Sequence, residues 1–131
     1  MKALVVRQPW ASMIASGAKS IEVRSRRTRH RGPLLIVAGR RDADGRLLPA
    51  NGPLVDGEQP AGVSVCIVDL IDCRPMTLAD ADAARIAFRP GHYAWVLCDS
   101  RPVPHIAVRG VMGLFDWNPF DVQCSTKKGK S

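Results

Sequence analysis

Short apolar segments, separated by glycine and proline, constrain the fold of this chain more than any other feature of its sequence. They lie at residues 2–7, 20–25, 33–38, 61–73, 93–99, 105–108 and 111–115. Most are rich in residues that favour β-strands, whereas a helical pattern is confined to residues 9–16 and about 77–88. Because the two short helices do not alternate with the strands, a parallel βαβ sheet is not favoured. We predict a mainly β fold (α+β) with six or seven strands in a closed or nearly closed β-barrel and two short helices.

The length of 131 residues predicts one domain with a substantial core. We assign residues 1–121 to this domain and expect 122–131 to be a basic, disordered tail, because three lysines follow Cys124 without an apolar residue. Residues 39–60 are rich in glycine and proline and predict a long excursion around a turn at Asp44 and Gly45. The sequence has no apolar stretch typical of a membrane span or an export signal, so we expect a cytoplasmic protein.

The pattern of cysteines and histidines bears on metal and cofactor binding. The four cysteines are Cys66, Cys73, Cys98 and Cys124; they form no CxxC pair, and the three histidines are scattered. A zinc site is therefore not expected, and we predict no cofactor. Cys66 and Cys98 lie within apolar segments, and we expect both to be buried as small hydrophobic residues.

The charge of the chain predicts a polyanionic partner. Its formal net charge is +7 and its pI is about 9.8, which favours nucleic acid over other partners. Residues 17–31 alone carry a formal net charge of +5, and Glu22 is the acidic residue among them. The cations of this segment are Lys19, Arg24, Arg26, Arg27, Arg29 and Arg31. A basic run of this kind is often only a solvated loop, and this alternative stays open at the level of sequence.

Glu22 lies between two cations at the start of the second strand. Because successive strand side chains alternate, Glu22 and Arg24 share one face of that strand. We expect Gly17 to end the preceding helix as a left-handed cap and Lys19, which follows it, to be exposed to a cleft. Neighbouring cations lower the pKa of Lys19, whereas Glu22 raises it. The arrangement suits an anionic ligand, or chemistry that uses a poised Lys–Glu pair.

Three motifs together resemble a known family. Arg-Gln-Pro-Trp-Ala at residues 7–11 precedes the first helix, Gly-x-Lys-x-x-Glu-x-Arg spans 17–24, and Arg-Gly-Pro follows at 31–33. With further matches at 61–70, 93–97 and 110–115, this combination closely resembles the ASCH domain. The resemblance implies a PUA-like β-barrel, a fold whose members commonly bind RNA.

The same resemblance implies a possible hydrolase. One bacterial branch of the family removes the acetyl group from N4-acetylcytidine with a lysine, a threonine and a glutamate, and another has been linked to ribonuclease activity. The lysine position matches Lys19, the threonine position is Glu22 here, and the acidic position is assigned to Asp69. Because residue 22 has no hydroxyl, hydrolysis would require a water activated by Lys19 or Glu22, without a metal.

We place the site in a cleft between the helix at residues 9–16 and the barrel. The leading hypothesis is binding of RNA or a nucleotide, with no membrane partner. The alternatives are a hydrolase with Lys19, Glu22 and Asp69 as catalytic residues, and a module that binds an acidic protein. Trp10 could be a core residue or a stacking wall for one base. The residues expected to contact substrate are Arg7, Gln8, Trp10, Arg24, Arg26, Arg27, Arg29, Arg31 and Tyr93.

Overall fold

A computed structural model describes residues 1–49 and 59–118. Within these residues the chain forms six strands and two short α-helices. The strands are β1 (Lys2–Gln8), β2 (Ile21–Arg24), β3 (Gly32–Asp42), β4 (Val63–Pro75), β5 (Tyr93–Pro102) and β6 (Leu114–Asp116). The helices are α1 (Trp10–Ser16) and α2 (Ala81–Ala84), with a 3-10 turn at Leu78–Asp80 leading into α2. The predicted mainly β fold with two short helices is confirmed.

The strands form one curled sheet in the order β2-β5-β4-β3-β1-β6. β1 and β3 are parallel, and the other neighbouring strands are antiparallel. The curl brings β2, at one edge, close to β1, where the guanidinium of Arg24 donates to the carbonyl oxygen of Val5 at 2.8 Å. No ladder joins β2 to β6 among the described residues. A side-chain contact, and not a backbone ladder, therefore bridges β2 and β1.

Two apolar clusters hold α1 and β2 in place. The larger cluster contains Leu4 of β1 and Leu34 of β3, with Ile14 of α1 buried against them. The smaller cluster packs Val23 of β2 against Ala84 of α2. Because neighbouring strand residues face opposite sides, this packing turns the charged residues of β2 toward the side of the larger cluster.

β3 extends beyond its predicted end and leads into a hairpin. It runs to Asp42, whose Oδ1 accepts the backbone N–H groups of Asp44 and Arg46, each at 2.9 Å. A bridge between Arg41 and Leu47 closes this hairpin, which confirms the predicted turn at Asp44 and Gly45. Residues 50–58 of the predicted excursion and the predicted tail at 122–131 lie outside the described residues.

α2 and the last strands are shorter than predicted. α2 ends at Ala84, before the expected residues 86–88, and the next residue, Arg85, is left-handed with a φ of 58°. At residues 105–108 the expected strand is reduced to an isolated bridge between Ala107 and Val63. Pro102 and Pro104 precede this segment and lack the N–H donors that a ladder needs. No helix in the described residues is long and apolar enough to cross a membrane.

The two cysteines predicted to be buried differ in exposure. Cys66 is fully buried in β4, and burial raises the pKa of its thiol. Cys98 is exposed, so the prediction for it was wrong. Cys98 follows the buried Leu97 on β5, and strand alternation turns it to the opposite face of the sheet.

Asp80 joins the start of α2 to β4. Its carboxylate accepts a hydrogen bond from the N–H of Thr77 at 2.8 Å. It also accepts hydrogen bonds from both terminal nitrogens of Arg74, at 2.7 and 2.8 Å. The hydrogen bonds from Arg74, followed by those from Thr77, lower the pKa of Asp80 to about 2, although burial opposes the shift. This capping arrangement confirms the predicted helix start at residues 77–80.

Asp80→Asn should lower the free energy of unfolding by about 2 kcal/mol at pH 7, since one unit of pKa corresponds to about 1.4 kcal/mol. Because folding lowers the pKa of Asp80 from 3.8 to about 2, the carboxylate stabilises the fold fully above the unfolded value and loses this effect as the pH falls through about 2. Urea unfolding of both proteins from pH 7 to 2 measures the difference, with the exposed Asp82→Asn as the control. A difference that does not shrink toward pH 2 would contradict this role of the carboxylate.

Candidate functional site

The Gly-x-Lys-x-x-Glu-x-Arg segment leads from α1 into β2. Gly17 ends α1 with a φ of 84°, as predicted. Lys19 then turns inward: its side chain is 1% exposed, and Nζ donates to the carbonyl oxygen of Ala84 at the end of α2. The expectation that Lys19 is exposed to a cleft was therefore wrong, because the end of α2 meets its ammonium. Burial lowers the pKa of Lys19, and Glu22 partly opposes this shift.

Glu22 connects Lys19 to Arg24. Its Oε1 lies 3.5 Å from Nζ of Lys19, and its Oε2 receives Nε and Nη2 of Arg24 at 2.9 and 2.7 Å. Arg24 reaches onward to the carbonyl oxygen of Val5 in β1. We call Lys19, Glu22 and Arg24 the motif network. It joins α2, β2 and β1, and it fixes the Arg24 guanidinium between two strands that share no ladder.

A cleft of about 1300 Å³ opens beside this network. Its walls are formed by residues 37–40, 107–113 and 115–118, together with Val5, Arg7, Trp10, Glu22, Val23, Arg24 and Gly62. We predicted a cleft between the helix at residues 9–16 and the barrel. The observed cleft touches this helix only at Trp10, so the predicted position was only partly correct. The cleft lies mainly between β1, β2, the end of β3 and the segment before and after β6.

Four arginines line the cleft, and sequence reasoning found two of them. Arg7 and Arg24 were predicted, whereas Arg40 and Arg109 were missed. Each missed arginine adjoins a glycine that packs closely against β1. A Cβ atom on Gly39 would lie 3.1 Å from Cγ1 of Val5, and one on Gly110 would lie 2.2 Å from its Cγ2. Glycine permits this close approach of two backbones. The Gly-Arg and Arg-Gly pairs at residues 39–40 and 109–110 are therefore the sequence signal that could have identified the two missed arginines.

The charge of the cleft is mainly positive. Arg7, Arg40 and Arg109 are exposed, and none of them forms an ion pair within the described residues. The two acids of the lining are already paired. Glu22 is bound to Arg24 and Lys19, and Asp116 lies 3.1 Å from Lys2. In the part of the chain that the structure describes, the cleft therefore presents three guanidinium groups that no carboxylate neutralises.

Two predicted site residues have structural contacts elsewhere. Gln8 is fully buried: its Nε2 donates to the carbonyl oxygen of Pro60 at 2.8 Å, and its Oε1 accepts the N–H of Ser12 at 2.9 Å. Asp69, on β4, pairs with Arg101 at 3.2 and 3.3 Å. The structure thus brings Glu22 and Lys19 together but does not bring Asp69 to them.

The arginine loop (residues 25–31) lies outside the lining of the cleft. Arg27 is placed over the Tyr93 ring at 5.2 Å from its centroid and donates to the Tyr93 hydroxyl at 3.3 Å. The indole N–H of the buried Trp95 donates to the carbonyl oxygen of Arg26 at 3.0 Å. The predicted cluster of arginines therefore lies beside Tyr93, outside the lining of the cleft.

Trp10 combines the two roles that the sequence left open. It is half-buried and packs against the larger apolar cluster, while part of it lines the cleft. The Nζ atom of Lys19 lies 5.9 Å from the centroid of the Trp10 ring.

Among the described residues, no group of three or more His, Cys, Asp or Glu residues could hold a metal ion.

A model of the ASCH domain family matches residues 4–103. The chain belongs to the ASCH domain family. Human activating signal cointegrator 1 is 39% identical over 80 residues, covering 53% of this chain and 14% of that protein. The protein of the same name from Mus musculus is 40% identical over 80 residues, with the same coverage. This ASCH chain thus spans only a small part of the length of these relatives.

Solved structures of similar architecture support the same fold. The crystal structure of ASCH from Zymomonas mobilis matches with a TM-score of 0.60 and 14% identity, covering 96% of this chain and 93% of that one. A point mutant of that protein matches with the same score and identity, covering 96% of both chains. At this identity the likeness shows the fold alone, and it agrees with the PUA-like architecture expected of an ASCH domain. In this ASCH domain, the Lys-x-x-Glu-x-Arg part of the motif forms a network in which Lys19 is buried and Glu22 and Arg24 belong to one wall of the cleft.

Proposed function

We propose that this ASCH domain binds single-stranded RNA in the arginine-lined cleft. The observation that carries the proposal is the group of three exposed guanidinium groups, on Arg7, Arg40 and Arg109, which form no ion pair with a carboxylate of residues 1–49 or 59–118. Arginine matches the geometry of phosphate oxygens with two parallel N–H groups. Membership of a family generally thought to bind RNA, and a net charge of +7, agree with a phosphate-rich ligand.

The size of the cleft favours a strand of RNA over a small molecule. Pockets for small ligands typically enclose about 300–1,000 Å³, and this cleft exceeds that range at about 1300 Å³. A short run of nucleotides would fill it better than one nucleoside.

Trp10 offers a place for a base within the cleft. Its ring is anchored on one side by the apolar cluster, so its position is fixed before a ligand binds. Stacking of a base on an aromatic side chain contributes about 1–3 kcal/mol. The guanidinium groups would then bind the backbone on either side of that base.

Hydrolysis of a modified nucleoside or of RNA is the second candidate function. Two observations favour it: burial lowers the pKa of Lys19, and the adjacent Glu22 carboxylate lines the cleft. The amine of Lys19 is nevertheless buried and donates to Ala84. A substrate in the cleft would therefore contact Glu22, and Lys19 would hold the Glu22 carboxylate in position. Release of acetate from N4-acetylcytidine, or cleavage of labelled RNA, would establish this activity.

Binding of fluorescently labelled single-stranded RNA tests the proposed function. Arg7→Ser/Arg109→Ser should weaken binding about tenfold or more, because hydrogen bonds to charged groups contribute about 1.5–3 kcal/mol each. The log–log dependence of affinity on salt should also flatten by about 1.4, at roughly 0.7 per phosphate. Arg41→Ser/Arg46→Ser, on the β3 hairpin, removes the same charge away from the cleft lining and is the control. Equal losses for the two double variants would contradict the proposal, and stronger binding of an acidic peptide than of RNA would favour a protein partner.

A further inference from the structure

The arginine loop directly follows Arg24 of the cleft lining and presents a second group of cations outside that lining. Arg26 and Arg29 are exposed, and neither forms an ion pair within the described residues. Between them, the guanidinium carbon of Arg27 lies over the Tyr93 ring at 5.2 Å from its centroid, and Nη2 donates to the Tyr93 hydroxyl at 3.3 Å. A guanidinium plane that is supported on one face by an aromatic ring offers its other face to a nucleobase. The loop therefore combines groups suited to phosphates with one suited to a base.

Internal hydrogen bonds define the shape of this loop. The Trp95 indole holds the carbonyl of Arg26 at 3.0 Å, and the N–H of His30 donates to Oγ1 of Thr28 at 3.1 Å. The Arg31 guanidinium donates to the carbonyl oxygens of Thr28 and His30 at 3.0 and 2.9 Å. A loop ordered in this way loses less conformational entropy when it binds a ligand.

The pairing of β2 with β5 places the loop next to the cleft. Arg24 is directly opposite Tyr93 in this antiparallel ladder, and opposite residues have side chains on the same face, with Cβ atoms about 5 Å apart. Arg24 lines the cleft, and Tyr93 contacts Arg27. A continuous surface therefore runs from the cleft across Arg24 and Tyr93 to the arginine loop.

We infer that the arginine loop and Tyr93 form a second subsite for the RNA strand that occupies the cleft. The inference rests on the proposed function, because it extends the same strand beyond the cleft. In this subsite Arg26 and Arg29 contact backbone phosphates, and the Arg27 guanidinium stacks on a base. The ligand is then a single strand of several nucleotides, since a nucleoside or a mononucleotide in the cleft does not reach the loop.

Oligouridylates of 3 and 12 nucleotides, bound to the full chain, test the subsite. Arg26→Ser/Arg29→Ser should flatten the salt dependence of 12-mer binding by about 1.4, at roughly 0.7 per phosphate, and leave trimer binding unchanged. The matched control is Arg41→Ser/Arg46→Ser, which removes two exposed arginines from the β3 hairpin. Equal changes in slope for the two double variants would overturn the subsite, as would an equal loss for trimer and 12-mer.

A third variant tests the stacked guanidinium by itself. Arg27→Lys keeps the charge but removes the plane that stacks on a base, and it should weaken 12-mer binding about fivefold or more with an unchanged melting temperature. An affinity equal to that of the wild type would overturn the stacking role.

Failure of the cleft proposal gives a different result from failure of the subsite. If the cleft does not bind RNA, Arg7→Ser/Arg109→Ser leaves the affinity for both oligouridylates unchanged, whatever the loop variants do. If only the subsite is wrong, that variant weakens both RNAs and the loop variants weaken neither. A glutamate-rich peptide that displaces the 12-mer as effectively as unlabelled RNA would overturn the assignment of this surface to RNA.

Discussion

Replacing Glu22 with alanine is expected to lower the free energy of unfolding by about 3–5 kcal/mol, the usual cost of removing one partner from a buried ion pair. The side chains of Lys19 and Glu22 are 1% and 9% exposed, so loss of the carboxylate leaves the Lys19 ammonium buried, with the Ala84 carbonyl and the Trp10 ring as its remaining described contacts and no opposite charge. Arg24 also loses the carboxylate that holds it in place between β2 and β1. Urea unfolding measures the effect, and Asp82→Ala, at an exposed position of α2, is the control, with a change within about 0.5 kcal/mol.

A double variant separates the buried charge from other effects of the substitution. Lys19→Met/Glu22→Leu replaces the ion pair with apolar side chains of similar length, a change that is often neutral or stabilising for buried pairs. It should therefore recover most of the stability that Glu22→Ala loses. If the double variant is as unstable as Glu22→Ala, the loss comes from packing or from the unpaired Arg24, and not from an uncompensated ammonium.

Trp10→Ala is expected to lower both the stability of the fold and the affinity for RNA. Truncation of a packed aromatic residue costs about 3–5 kcal/mol at full burial, and Trp10 is half-buried against the larger cluster, so the loss should be toward the lower end. Loss of a stacked base should cost a further 1–3 kcal/mol or so of binding energy. Thermal unfolding and RNA titration, carried out well below the melting temperature, measure the two effects separately.

Trp10→Phe is the matched variant for this experiment. It keeps an aromatic face for stacking and most of the packed volume, so it should retain RNA binding within about 1 kcal/mol. A Trp10→Ala protein that binds RNA with wild-type affinity would make Trp10 a core residue only. One that keeps its melting temperature and loses RNA would show that the ring contributes to the ligand site and not to the core.

The sequence was most informative where local chemistry determines the structure. The left-handed cap at Gly17, the start of the second helical segment at Thr77, and the turn at Asp44 and Gly45 each depend on neighbouring residues, and each was predicted. The alternation of β2 correctly placed Glu22 and Arg24 on one face. Such features follow from backbone and side-chain preferences within a few residues.

Features that depend on contacts between residues far apart in the chain could not be predicted from the sequence. The buried Lys19 ammonium donates a hydrogen bond to the last carbonyl of α2, 65 residues away. No local pattern in the sequence indicates this contact. Asp69 appeared to be an acidic partner for Lys19 but pairs with Arg101 on the neighbouring strand. The sites of Arg40 and Arg109 depend on the approach of Gly39 and Gly110 to Val5, which is set by the curl of the sheet.

The most direct test of RNA binding in the cleft is a titration of the isotope-labelled chain with a 12-nucleotide RNA, followed through the backbone amide resonances of its glycines. Gly39, Gly62 and Gly110 line the cleft, whereas Gly17 and Gly45 lie outside its lining. We predict that the first three resonances shift progressively with added RNA and that the other two move little. Shifts at Gly17 or Gly45 with unchanged resonances at Gly39, Gly62 and Gly110 would contradict the account.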